Sequence, residues 1–469
     1  MKTLRQNIIY NILYQILAII LPFITAPYLS RVIGASGVGL YSFSHSIALY
    51  FTYITLLGLT NYGNRMIASV QHDREKRSLM FCEIYAMQTI CFLVSIVAYL
   101  IYVILFAEDK TASLIMIFTV ISSLFDISWF YFGIENFKVT VIRNTIIKII
   151  SVILIFLFVK KKEDIYVYIL IMSISFLASQ LCLWPLIKKY VDFVKPKWNN
   201  ILKHFKPNLV LFVPVIAVSI YKIIDKVILG FMSTMDQVGY FENAERIITL
   251  ATTLITAVGT VMLPRMTSLF AINNRESSNF IDKTMIVVLA YTNAVFFGIL
   301  AVADEFTLVY YGKEFMPTAT IMKFLAITVI FLGAGNVIRT QYLIPKQEDF
   351  VYLKSAIIGA VINVCINFLL IPNFNAIGAA ISTVFAEISV CIYQLYKVRK
   401  EVHLYLYLKW EVVFVFFGII MFLLIRLMPQ SANEIANLGL HIIVGGLTYV
   451  IISAIYIFKV EKIKDRMSS

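Results

Sequence analysis

Charge is scarce in this chain of 469 residues, where Asp, Glu, Lys and Arg together make up 14%. A soluble domain of ordinary composition devotes about a quarter of its residues to charge, so the chain cannot cover a water-facing surface, and soluble enzyme classes are excluded. Cysteine chemistry is also missing. Cys82, Cys91, Cys182, Cys365 and Cys391 all stand inside apolar runs with no C-x-x-C or Cys/His ligand spacing, so they read as small core hydrophobes, and no metal site is expected. There is no G-x-x-x-x-G-K-[ST] stretch, so the chain carries no nucleotide-binding loop of its own. Nor is any connection between apolar runs long enough to hold a separate domain. These absences leave a protein that no reactive centre or cofactor explains.

What the sequence has in abundance is hydrocarbon: 60% of its residues are hydrophobic and its mean hydropathy is +0.85. A bilayer core of about 30 Å needs about 20 apolar residues in a helix. By that measure the sequence predicts fourteen spans: 7–28, 38–60, 80–106, 113–134, 140–159, 165–187, 207–231, 238–263, 284–303, 318–338, 355–372, 378–396, 411–428 and 437–458. The first resembles a signal peptide but lacks a small-residue cleavage site, and it is expected to be retained as a helix. Alternating the loops across the membrane places 27 of the 40 Lys and Arg on the side of the N-terminus, 6 on the other side and 7 within spans. Cationic loops stay in the cytoplasm, so both termini are expected there. The net charge of +13 is thus a topology signal and not a nucleic-acid footprint. The basic linker 187–206, with Pro196, reads as a solvated amphipathic stretch near the middle of the chain.

An internal repeat is visible. Val38-Gly39-Leu40-Tyr41 matches Val238-Gly239-Tyr240-Phe241, and Arg65-Met66 matches Arg265-Met266 at the same offset; further on, Arg143, Ile146 and Ile147 match Lys354, Ile357 and Ile358. Equivalent helices are six spans apart, so the halves share one orientation, a parallel repeat about an axis along the membrane normal. The expected fold is therefore all-α and polytopic: 14 transmembrane helices, as two parallel six-helix bundles (6+6) around a central cavity, plus two C-terminal helices. Domain boundaries are expected at 1–195, 196–400 and 401–469. Such an arrangement implies transport by alternating access.

Ionisable side chains inside hydrocarbon cost about 2.5–3.5 kcal/mol each on insertion scales and mark function by default. Asp126, Lys148, Lys222 and Glu387 fall at mid-depth; Asp225, Lys226, Glu242, Glu245 and Arg246 lie nearer the outer ends. Lys222, Asp225 and Lys226 share one helix face, as do Glu242, Glu245 and Arg246. The cations suit an anionic cargo, so Lys148, Lys222, Lys226, Arg246 and Arg31 are candidates for substrate binding, with Asn363 and Asn367 as polar contacts one turn apart. Asp126, Glu387, Asp225 and Glu245 are candidates for ion coupling. His45 takes the place of Glu245 in the first half. Each trio could equally be a neutral brace, and each lone acid could have a partner on another helix.

The stretches SRVIGASGVGLYSFS from Ser30, NYGNRMIAS from Asn61, WFYFGIENFK from Trp129, DKVILG from Asp225, VGYFENAERI from Val238, LPRMTSL from Leu263, QYLIPKQED from Gln341 and INFLLIPNFNAIGAAISTVFAE from Ile366 resemble the polysaccharide repeat-unit flippases of the multidrug/oligosaccharidyl-lipid/polysaccharide exporter superfamily. That resemblance runs in order over residues 1 to about 400. It implies a flippase for undecaprenyl-diphosphate-linked oligosaccharides in a bacterial cytoplasmic membrane, serving capsule, O-antigen or a related polymer. It also implies coupling to protons or sodium, and association with a polysaccharide polymerase. A multidrug/cation antiporter or lipid II flippase of the same superfamily is the first alternative. A membrane-embedded glycosyltransferase or polymerase, the second, lacks the long extracytoplasmic loops it would need here.

Overall fold

The structure, a computed structural model, describes the backbone of residues 2–272, 274–429 and 433–468, and the side chains of 20–220, 223–270, 276–429 and 433–459. All regular structure among them is helical. The chain packs as two compact units, Met1–Gly230 and Phe231–Ser469. The first holds α1 (Lys2–Leu56), α2 (Leu59–Ser69), α3 (Arg74–Leu105), α4 (Lys110–Phe125), α5 (Ser128–Gly133), α6 (Phe137–Phe158), α7 (Ile165–Leu181), α8 (Trp184–Ile187) and most of α9 (Trp198–Met232). In the second are α10 (Met235–Ile272), α11 (Asn274–Tyr310), α12 (Met316–Ile338), α13 (Asp349–Val398), α14 (Leu404–Leu427) and α15 (Glu434–Ser468).

Among the described residues twelve helices are long and apolar enough to cross a membrane, and each of the fourteen expected spans overlaps one of them. The difference in number has a local cause. The stretches Ile20–Ser69 and Asp349–Val398 run for 50 residues each, about twice what a bilayer needs. α1 is interrupted at Gly34 (φ 68°, ψ −177°) and α13 at Asn375 (φ 49°, ψ −129°). Gly34 occupies a region of backbone space open essentially to glycine alone, while asparagine tolerates positive φ better than most residues. Gly34→Ala should therefore cost about 1–3 kcal/mol. A lowered thermal midpoint of the detergent-purified protein would report it, and an unchanged midpoint would show the break to be unstrained.

Outward faces read as hydrocarbon-facing. On α3, Leu93, Val97, Ile101 and Ile104 form an exposed stripe; on α14, Leu408, Val412, Phe416, Ile419, Leu423 and Leu427 do the same, Leu427 reaching 83% exposure. Both stripes follow a spacing of three and four, the signature of one helix face. Exposed apolar surface of this extent is untenable in water. The protein is a multi-pass membrane protein.

Within each unit the same pairings recur. α4 packs on α1, α3 and α7 in the first unit, and α12 packs on α10, α11 and α13 in the second. By the repeat, α4 corresponds to α12, α3 to α11 and α7 to the later part of α13. The link that follows the first helix also meets the link before the sixth in both units. In the first, Tyr28 Oη donates to the Val159 carbonyl at 2.6 Å; in the second, Ser233 Oγ donates to Asn375 Oδ1 at 2.6 Å, and the Ala376 amide to Gln237 Oε1 at 3.3 Å. α14 and α15 pack on α11 and on each other.

Small residues permit the close crossings. A Cβ on Gly63 of α2 would meet the Trp129 ring of α5 at 2.7 Å, and one on Gly133 would meet Ile67 at 2.7 Å. This crossing sits in an aromatic core of Tyr62, Phe81, Trp129, Phe130 and Tyr131, which fixes α2, α3 and α5 as one block.

Candidate functional site

Expected site residues on α9 and α10 fall into two clusters, one in each unit. In the first unit Asp225 is buried and Lys226 half-buried, and both lie within electrostatic reach of Tyr50 on α1. Lys148 is half-buried on α6. The Lys222 side chain falls outside the described residues. In the second unit Arg246 Nη2 donates to Glu242 Oε1 at 3.2 Å, both side chains about one-fifth exposed, so the i, i+4 spacing forms the ion pair it allowed. Glu245 is half-buried beside them, and Tyr310 and Tyr311 stand within electrostatic reach of Arg246. Tyr311 Oη donates to the Asn243 carbonyl at 3.0 Å, tying α11 to α10 at this level.

The remaining candidates separate from these clusters. Arg31 is exposed, and its Nη1 donates to the Pro27 carbonyl at 3.4 Å. Asn363 and Asn367 are fully buried, with Asn367 Nδ2 donating to Asn363 Oδ1 at 3.1 Å, so each serves the other inside α13. Asp126 departs most from expectation. The span 113–134 read as one continuous helix, but α4 ends at Phe125 and α5 begins at Ser128, with Asp126 at the break. Its Oδ1 accepts from the Ser128 amide at 2.9 Å, satisfying one of the orphan donors of α5. Gln88 holds the break from α3: its Nε2 donates to the carbonyls of Ser123 at 2.7 Å and Asp126 at 3.0 Å, and its Oε1 accepts from Trp129 Nε1 at 3.1 Å. This break follows from local competition, since an Asp side chain offers a backbone amide an alternative to the helical bond.

Glu387 is buried on α13, and it shares its surroundings with an acid that sequence reasoning passed over. Glu411 of α14 and Glu387 both act electrostatically on Cys391, and Glu411 Oε2 accepts from Asn293 Nδ2 of α11 at 3.0 Å. Glu411 stands at the first residue of an expected span. His45 is stacked between Tyr41, at 5.5 Å between ring centroids, and Phe176, at 5.3 Å. No group of three or more His, Cys, Asp or Glu that could hold a metal ion occurs among the described residues.

Helices with apolar outward faces and charge clusters held inside define a polytopic membrane transporter, and comparison with known proteins identifies its kind. The fold is that of the lipid II flippase MurJ, seen in an inward closed conformation: the two align at a TM-score of 0.79 with 19% identity, over 96% of this chain and 99% of that one. Residues 4–270 match the family model described as polysaccharide biosynthesis protein, and the chain belongs to that family. Among its relatives is a protein named as an O-antigen transporter in Shigella dysenteriae, 24% identical over 84% of this chain and 100% of the relative. A protein so named in Escherichia coli (strain K12) is 22% identical over 85% of this chain and 97% of its own length.

Proposed function

We propose that the chain is a flippase that carries lipid-linked oligosaccharide repeat units across the cytoplasmic membrane by alternating access, for O-antigen, capsule or a related surface polymer. It transports and does not catalyse. The observation that carries this reading is likeness over 84–85% of the chain to O-antigen transporters, joined to family membership over residues 4–270. The chemistry agrees. An undecaprenyl diphosphate headgroup is anionic, and Lys148, Lys226 and Arg246 are cations held half-buried inside helices, where charge-assisted hydrogen bonds to phosphate are strong. Lys222 and Arg31 extend the same assignment. Ion coupling is assigned to Glu387, Asp225 and Glu245, with protons or sodium as the driving ion.

Purified protein in liposomes should move a fluorescent undecaprenyl-diphosphate oligosaccharide between leaflets faster than empty vesicles do. Movement of lipid II or of cationic drugs alone, with none of the oligosaccharide lipid, would reassign the protein within the superfamily.

The broken helices α1 and α13 are read as two crossings each, so that twelve long helices make fourteen spans with both termini cytoplasmic. The positive-inside bias supports this topology. Cysteines placed at Lys110 and Glu163 should react with an impermeant thiol reagent added outside intact cells, and one at Asp73 should not. Labelling at Asp73 would reverse the topology. The repeat boundary near residue 195 remains part of the same proposal, distinct from the packing division at Gly230, because it concerns which helices are equivalent.

A further inference from the structure

Two carboxylates near the N-terminal ends of α3 and α11 are gripped in the same way. Glu83 Oε1 accepts from Asn200 Nδ2 at 2.7 Å, and Oε2 accepts from His204 Nε2 at 3.2 Å; Asn200 and His204 are one turn apart on α9. Asp282 Oδ2 accepts from His403 Nδ1 at 2.7 Å, and Oδ1 accepts from Tyr407 Oη at 2.7 Å; His403 and Tyr407 are one turn apart at the start of α14. In each case a carboxylate is held at both oxygens by an i, i+4 pair from a later helix of the same unit. The two grips are also evenly spaced along the chain. Glu83 and Asp282 are 199 residues apart, and so are His204 and His403. That offset is one short of the offset relating Arg65 to Arg265. The grip is thus made in the same way in both units, although α14 packs along α11 while α9 meets α3 through these side chains.

The two copies differ in what lies beyond them. Glu83 and His204 are each 7% exposed, and Tyr62 Oη of α2 closes the cluster on His204 Nδ1 at 2.7 Å, so every polar atom of the ring has a partner. Past this rigid point α9 contains Pro207 and Pro214, each removing a helical hydrogen bond and loosening the helix. About 27 Å further on, at a rise of about 1.5 Å per residue, α9 carries Lys222, Asp225 and Lys226. α14 has no proline. A locked end, a loosened middle and a charged far end are the parts of a lever.

We propose that Glu83, Asn200 and His204 are positioning residues that anchor the base of α9, and that the proline-loosened remainder swings about this anchor to carry the Lys222, Asp225 and Lys226 trio between its positions in transport. Asp282, His403 and Tyr407 are the same anchor serving α14, which it holds fixed. This rests on the flippase reading for the cargo, but the motion of α9 can be observed without it.

The test replaces the anchor with a covalent one. In a background with the five native cysteines removed, Glu83→Cys/His204→Cys should lower flipping about tenfold at an unchanged amount of membrane protein. Bridging the two thiols with a short bifunctional reagent should restore the rate to within about twofold. A third cysteine, Val227→Cys, reports the far end: its labelling from the two sides of the membrane should shift in the unbridged variant and return on bridging, whereas a brace that only adds stability would leave that ratio alone. Arrest of flipping on bridging would overturn the proposal, because the contact would then have to open. Unchanged flipping and labelling in the unbridged variant would also overturn it. Should that variant fail to accumulate, Asn200→Ala removes one of the two bonds to Glu83 and should give a smaller shift in the same direction. Absence of flipping in the parent protein together with the expected labelling shifts would refute the flippase reading and leave the anchor standing.

Discussion

Alanine at Lys148 and Lys226 together should reduce flipping by two or more orders of magnitude while the protein remains in the membrane at its normal level. Both ammonium groups are half-buried within the first unit, Lys148 on α6 and Lys226 on α9, and both are already engaged within the protein. A hydrogen bond to a charged group contributes about 1.5–3 kcal/mol, so two such contacts to a diphosphate are worth about 3–6 kcal/mol, or about 10² to 10⁴ in rate or affinity. Removing cations from hydrocarbon relieves an insertion cost, so folding should not suffer. Single substitutions should each cost about tenfold to a hundredfold, and arginine at either position should recover part of the loss. Fluorescent lipid-linked oligosaccharide in liposomes gives the rate. A double variant that flips at the parent rate would remove both residues from the path and leave them as interhelical braces.

Much of this architecture was legible in the sequence because the membrane makes length itself a signal. Apolar runs of about 20 residues each landed on a helix, and the ion pair of Glu242 with Arg246 followed from their i, i+4 spacing. What the sequence hid was where helices break. SSLFDISWF reads as uninterrupted hydrocarbon apart from one acid, yet Asp126 turns its side chain to the Ser128 amide and Gln88, 38 residues away, fixes the break. The break at Asn375 likewise depends on Ser233 and Gln237, more than 130 residues earlier. The grips on Glu83 and Asp282 were missed for a related reason. Their partners lie 121 residues along the chain, and a histidine read alone carries little information. A common offset of 199 residues relates His204 to His403 and Glu83 to Asp282. A repeat constrains pairs of residues even where it says nothing about either one.

The structure also separates the two acids that the sequence placed together as candidates for ion coupling. Asp126 and Glu387 were alike in depth and in lacking a neighbouring cation. Asp126 now sits at a helix break, and Asp126→Asn keeps an Oδ1 to accept from the Ser128 amide, so its gradient dependence should match that of the parent. Glu387 lies buried within α13, near Cys391 and in the company of Glu411. An acid buried in a membrane-spanning helix marks function by default. Glu387→Gln should therefore abolish the response of flipping to an imposed gradient while leaving substrate binding intact. One unit of pH difference supplies about 1.4 kcal/mol per proton, enough for about a tenfold accumulation in parent vesicles and none in the variant. Glu411→Gln, which can still accept from Asn293, should weaken the same response. Equal gradient dependence in the parent, Glu387→Gln and Glu411→Gln would show that neither acid carries the coupling ion, and would transfer that role to Asp225 and Glu245.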